Sequence, residues 1–179
     1  ILSVYPAQPT ASIMKSPSKS QSLPAIARSL RKVGYDTEMI YGGDADFTNM
    51  RSYFYATGYG RVMSCDDFTT EENSARWGVP DHITFTRVEK EIARQTARPF
   101  MKTFLTLSSH EPFDVPMSRL EHPYLNSVAY TDSCLGAFVD TLRQSPLWEN
   151  LLIVFVADHT MRYPAGIQEH EAKRHHIPM

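Results

Sequence analysis

The run Leu151-Leu152-Ile153-Val154-Phe155-Val156 constrains the fold more than any other stretch of the chain. An apolar run without alternation is the pattern of a strand covered on both faces, and such strands belong to parallel sheets with helices on either side. A strand is therefore expected to end near Ala157 and to carry Asp158 and His159 to its carboxyl end. In open α/β sheets that end is where ligands bind. Neighbouring side chains of a strand point to opposite faces, so these two converge only where the backbone turns, and Thr160 begins such a turn. A carboxylate beside an imidazole suits a divalent cation such as Mn²⁺ or Zn²⁺, because hard oxygen and borderline nitrogen donors both serve it. For this pair alone, two polar loop residues after a strand are the commoner case.

The remainder alternates strand and helix. Residues 12–21, rich in Ser, Lys and Pro, form an expected exposed loop. A helix over 22–33 would be capped by Ser22 and would place Leu23, Ile26, Ala27, Leu30 and Val33 on one face before Gly34. A strand at 35–41 leads into the turn Gly42-Gly43-Asp44-Ala45-Asp46 and a helix at 49–57. A weaker strand at 61–64, an acidic loop at 65–73 and Trp77-Gly78-Val79-Pro80-Asp81 precede a helix at 82–97. The strand at 100–107 ends in Ser108-Ser109-His110-Glu111-Pro112-Phe113, so a second strand end bears a histidine. After a Pro-rich loop, a helix at 126–143 presents Leu135, Phe138, Val139 and Leu142 on one face. This order predicts an α/β layered fold, a mostly parallel sheet with helices on both faces.

Composition narrows the function. With 179 residues, 42% hydrophobic, 21% charged and net charge -2, the chain is expected to be one globular domain with a substantial core. Nucleic acid is not an expected partner, since the densest basic stretch, 162–176, is broken by Glu169 and Glu171. No apolar run reaches the length of a membrane span and no signal peptide opens the chain, so any anchor is expected outside it. Cys65 and Cys134 lack metal or disulfide spacing and are expected to be buried thiols. A start at Ile1 and a stop at Met179, where an apolar segment begins, suggest a single partial domain truncated at both ends.

Gln8-Pro9-Thr10, Ser20-Gln21-Ser22-Leu23-Pro24, Tyr41-Gly42-Gly43-Asp44, Phe47-Thr48-Asn49-Met50, Trp77-Gly78-Val79-Pro80-Asp81, Ser109-His110-Glu111-Pro112-Phe113, Tyr130-Thr131-Asp132 and Ala157-Asp158-His159 follow one another in the chain. In this order they resemble the sulfatase-like phosphoglycerol transferases, the lipoteichoic acid synthase relatives of the alkaline phosphatase superfamily. The resemblance implies an alkaline-phosphatase-like catalytic domain, incomplete here, on the extracytoplasmic (periplasmic) face of the cell membrane, anchored by segments outside this chain. It implies transfer of phosphoglycerol from a phospholipid head-group donor to an envelope glycan or lipid acceptor. It further implies Asp158 and His159 as ligands of a divalent metal (Mn, Zn or Mg) and His110 as a catalytic contact to the substrate phosphate. The family's metal-binding Glu and nucleophilic Thr would precede Ile1. Thr10, in a Pro-rich loop, lacks the helix N-terminus and metal that would activate its hydroxyl.

The expected chemistry is phosphoryl transfer, which asks a protein chiefly to position groups and neutralise phosphate charge. His110 would donate to a non-bridging oxygen or assist the leaving group; alone, a loop histidine bonded to backbone is commoner. Asp44, Asn49 and Arg51 are candidate substrate-binding residues. The lipoteichoic acid synthases proper have Trp-Asn-Arg where this chain has Thr48-Asn49-Met50, and Arg51 stands one position beyond the missing cation. An early-helix Arg is more often an ordinary ion pair, and Asp44 is as suited to capping its turn as to binding glycerol hydroxyls. His170, His175 and His176 lack helical metal-pair spacing and are expected on polar loops. Trp77, Tyr53, Phe54 and Tyr55 are expected in core and loop packing rather than as a sugar platform. Sulfatase or phosphoethanolamine transferase chemistry, or a non-catalytic domain that binds an envelope ligand, are the alternatives.

Overall fold

A computed structural model of the chain describes residues 2–3, 12–95, 98–159, 161, 163, 166–168 and 171–177. The motif Gln8-Pro9-Thr10, His170 and the side chain of His175 lie outside the described residues. The chain divides into two compact units, Leu2–Gln144 and Ser145–Met179, the latter together with Ile1.

In the first unit the elements run α1 (Pro17–Ser20), α2 (Ile26–Lys32), β1 (Asp36–Tyr41), α3 (Met50–Thr57), β2 (Arg61–Met63), α4 (Asp81–Ala93), β3 (Phe100–Leu105) and α5 (Pro123–Arg143). The strands form a parallel sheet in the order β2-β1-β3, with Met39 opposite both Val62 and Thr103. Alternation along β1 sorts the two layers. Met39 joins a core of Ala27, Met50, Tyr53, Phe54, Tyr59 and Val62 under α2 and α3. The Tyr59 hydroxyl shares a 2.7 Å hydrogen bond with Thr103 on that face. On the other face Phe104 meets Phe85 of α4 edge-on at 4.7 Å, and Phe85 lies 5.2 Å from Phe138 of α5. Helices thus cover both faces, as the sequence order predicts.

The second face also carries a half-sheathed charge network. Lys102 Nζ lies 2.5 Å from Glu38, and Arg61 pairs with Glu38 at 2.8 Å and Glu91 at 3.1 Å. Arg87 and Arg94 complete the shell of Glu91. Burial pushes the Glu91 carboxyl up, but the hydrogen bond from Arg87 and the charge of Arg61 hold it below its ordinary value.

Several local expectations are corrected. The helix after the Ser-rich segment starts at Ile26, beyond Ser22, whose hydroxyl donates to the Lys19 carbonyl at 2.9 Å. Of its expected apolar face only Ala27 is buried, and Val33 is 70% exposed. Residues 12–21 hold a 3-10 turn and α1 instead of an open loop. The last helix starts at Pro123, where proline's fixed φ fits the first turn. Buried Asn126 ties the preceding loop to it, accepting the amides of Arg119 and Leu120 and donating to the Met117 carbonyl. Cys134 is buried, but Cys65 is half-buried.

In the unit Ser145–Met179 the expected strand is absent. Residues 151–157 make no ladder, and Leu152 and Val154 are 89% and 61% exposed. An apolar run favours extended backbone, but a strand also requires a partner edge, and this unit contains no other strand among its described residues. No described helix of the chain is long and apolar enough to cross a membrane.

Candidate active site

Because β1, β2 and β3 are parallel, their carboxyl ends share one edge, and the loops that follow them meet there. Gly42 and Gly78 bring two of these segments into backbone contact. Val79 donates its amide to the Gly42 carbonyl at 2.8 Å, and Gly43 bridges Gly78. A Cβ on Gly42 would stand 2.7 Å from the Val79 carbonyl oxygen, so glycine is what allows this approach. The turn after β2 starts at Ser64, which forms a reciprocal capping box with Asp67. Cys65 then donates its amide to the Gly43 carbonyl at 3.0 Å.

His110 stands exposed in the turn after β3, where its amide donates to the Leu107 carbonyl at 3.0 Å. Its Nδ1 lies 2.9 Å from the Glu111 carbonyl oxygen. A carbonyl only accepts, so Nδ1 carries the proton; Nε2 then holds a lone pair in the neutral ring and donates in the imidazolium. The Trp77 indole donates to the same carbonyl at 2.5 Å, and its ring meets His110 edge-on at 5.5 Å. Trp77, 47% exposed, packs on this loop and Tyr53 and Phe54 are core, as expected, whereas Tyr55 is 49% exposed and departs from that expectation. Beside His110 lies a groove of about 510 Å³ lined by Arg76, Trp77, Glu111, Phe113, His122 and Tyr124.

The turn after β1 places Asp44 exposed at this edge, with Oδ1 accepting the Asp46 amide at 2.8 Å. Asp44 thus caps its turn. Asn49, in the left-handed region at φ 64°, donates its side-chain amide to the Met14 carbonyl at 2.9 Å. Arg51 is held at 3.0 Å from Asp46, 3.1 Å from Asp66 and 3.1 Å from the Ser64 hydroxyl. The hydrogen bond to Asp46 outweighs burial and raises its pKa. The cation is thus spoken for by two carboxylates.

In the other unit Asp158 and His159 are side by side at a bend. The Asp158 carboxylate accepts the His159 amide at 2.9 Å, and its Oδ2 lies 3.5 Å from His159 Nε2. The bend therefore brings both side chains together, as convergence on one ligand requires. Their oxygen and nitrogen donors, both exposed, fit two positions of a divalent cation's shell. No group of three or more potential ligands gathers among the described residues. His176 is exposed.

Asp81, in the sequence only the last residue of the motif Trp77-Gly78-Val79-Pro80-Asp81, has a role in the fold that its local pattern does not show. Its side chain is fully buried at the start of α4 and accepts the Leu107 amide at 2.8 Å, the Ser108 amide at 3.3 Å and the Thr131 hydroxyl at 2.7 Å. The signal was present as an Asp directly after a proline at a helix start, a position that ordinarily suggests only a cap.

The sulfatase family model matches residues 1–179. The lipoteichoic acid synthase-like protein YvgJ of Bacillus subtilis is 28% identical over 74% of this chain and 23% of its own length. Phosphoglycerol transferase I of Xanthomonas campestris is 26% identical over 73% of this chain and 21% of its own. The chain therefore spans under a quarter of the length of these two relatives. A Vibrio parahaemolyticus protein in the alkaline phosphatase superfamily superposes with TM-score 0.83 at 29% identity, over 99% of this chain and 45% of that one.

Proposed function

The chain belongs to the sulfatase family, and we propose on that premise that it is the later part of the catalytic domain of a bacterial cell-envelope transferase. The reaction is metal-dependent transfer of phosphoglycerol, or a related phospho-group, from a phospholipid head group to an envelope glycan or lipid. The observation that carries this reading is the setting of His110. It is an exposed imidazole at the carboxyl edge of a parallel sheet, oriented through Nδ1 by a carbonyl that Trp77 also grips. As imidazolium, its Nε2 donates to a phosphate oxygen as charge builds there; as neutral ring, the same atom accepts a proton from an attacking hydroxyl.

Asp158 and His159 would hold the divalent cation, Mn²⁺, Zn²⁺ or Mg²⁺, and exchange their mutual contact for it. When bound, the cation supplies Lewis-acid neutralisation of phosphate charge. The nucleophile we assign is a Thr in a segment preceding Ile1, and the domain acts on the extracytoplasmic face, anchored by segments outside this chain. Asp44, with Oδ2 beyond its turn bond, would accept from glycerol hydroxyls. Asn49 and Arg51 would shape the loop that presents it, since both are already engaged.

The test is incubation of the full-length protein, in Mn²⁺, with fluorescent phosphatidylglycerol, phosphatidylethanolamine and an aryl sulfate in parallel. Diacylglycerol released from phosphatidylglycerol alone supports the reading. Turnover confined to phosphatidylethanolamine makes the transferred group phosphoethanolamine, turnover confined to the sulfate ester replaces the reading with a sulfatase, and turnover of none makes the domain a binding module.

A further inference from the structure

We propose that Asp81 is a positioning residue for His110, holding the turn after β3 against α4 and α5 so that the imidazole has one place to stand. The inference rests on the transferase reading of His110 and extends it to a residue that touches no substrate.

The clamp is reciprocal. The Asp81 carboxylate accepts the amides of Leu107 and Ser108 at 2.8 and 3.3 Å, while the Asp81 amide donates to the Ser108 hydroxyl at 3.0 Å. Thr131 of α5 donates its hydroxyl to the same carboxylate at 2.7 Å and lies 3.2 Å from the Ser109 hydroxyl. Two residues on, the His110 amide bonds the Leu107 carbonyl, so the backbone that Asp81 grips is the backbone that aims the histidine. Among the described residues the groups that hydrogen-bond this carboxylate are neutral, and Asp81 is 0% exposed.

A buried carboxylate among neutral donors is a costly way to stabilise a helix start, for which an exposed cap residue would serve. What it supplies is geometry: charge-assisted bonds to consecutive amides fix a turn more tightly than neutral ones. Such precision matters where a displacement of about 1 Å in a reacting group costs on the order of a hundredfold in rate.

The test uses full-length protein with fluorescent phosphatidylglycerol and a double-mutant cycle. Asp81→Asn keeps size but turns an acceptor into a donor facing the Ser108 amide. It is expected to lower kcat on the order of a hundredfold with KM and bound metal little changed. In the His110→Ala background the same substitution should cost almost nothing further, because the residue it positions is gone. Thr131→Val, which removes one donor, should show a smaller loss with the same non-additivity, and carries the cycle if Asp81→Asn does not fold. Deuterium exchange in a peptide covering residues 106–111 should quicken in both variants, with β1 unchanged. Losses that multiply with His110→Ala, undiminished kcat, or unchanged exchange each overturn the proposal. A wild-type protein inert toward phosphatidylglycerol overturns the phosphoglycerol-transfer reading instead, while the exchange measurement still judges whether Asp81 holds the turn.

Discussion

Replacing Gly78 by Ala wedges apart the two backbones that meet beside the candidate site. The added Cβ would stand 2.1 Å from the Gly42 carbonyl oxygen and 2.9 Å from Gly43 Cα, at a residue whose φ is +144°. Carbon and carbonyl oxygen rest comfortably at about 3.3 Å or more, so the segments must part by roughly 1 Å. Backbone in this glycine region costs an alanine about 1–3 kcal/mol. The separation also weakens the bond from the Val79 amide to Gly42, which contributes about 1 kcal/mol. The expected destabilisation is about 2–4 kcal/mol, or roughly 4–16 °C in Tm for a domain of this size. Two other glycines calibrate it. Gly34, at φ +93° with open space around its Cβ position, should lose only the conformational share, about 1–3 kcal/mol. Gly136, in α5 with nothing within 4 Å, should gain up to about 1 kcal/mol as Ala. Thermal and urea unfolding of the three variants give the ranking. A Gly78→Ala protein no less stable than Gly34→Ala would refute the close backbone approach.

His110→Ala should lower turnover on a phosphatidylglycerol-type donor on the order of a hundredfold or more, with metal content intact, and His110→Gln should recover part of it as an uncharged donor. Full turnover by the Ala variant would remove His110 from the chemistry. Asp158→Ala should remove bound metal and activity together; elemental analysis alongside the rate checks this, and tight Mn²⁺ binding that survives loss of both Asp158 and His159 would misplace the site. The Glu91 carboxyl is held below its ordinary value of 4.5. Its contribution to stability is therefore present above that value and lost as pH falls through the lower folded-state value. The urea midpoint should drop on acidification across this window, and Glu91→Gln should flatten the drop.

Local pattern was enough for much of the chain. The order of strands and helices, the parallel sheet and the placing of His110 just past β3 follow from periodicity and turn residues, because these record local backbone preference and which face is apolar. The motif Ser109-His110-Glu111-Pro112-Phe113 carried both its resemblance and its location. Contacts between distant residues were not legible. The apolar run 151–156 reads as a buried strand, yet pairing depends on an available edge, which no run of side chains encodes. Ile26 and Val33 look like core and are 51% and 70% exposed, since burial depends on what packs opposite. Arg51 became an ion-pair partner of Asp66 only through the packing of α3 beside the turn after β2. Asp81 looks like a helix-start acid. Its grip on residues 107 and 108 and on Thr131 arises because folding brings α4, the end of β3 and α5 to one point, where a carboxylate shut away from water must find its donors in the chain.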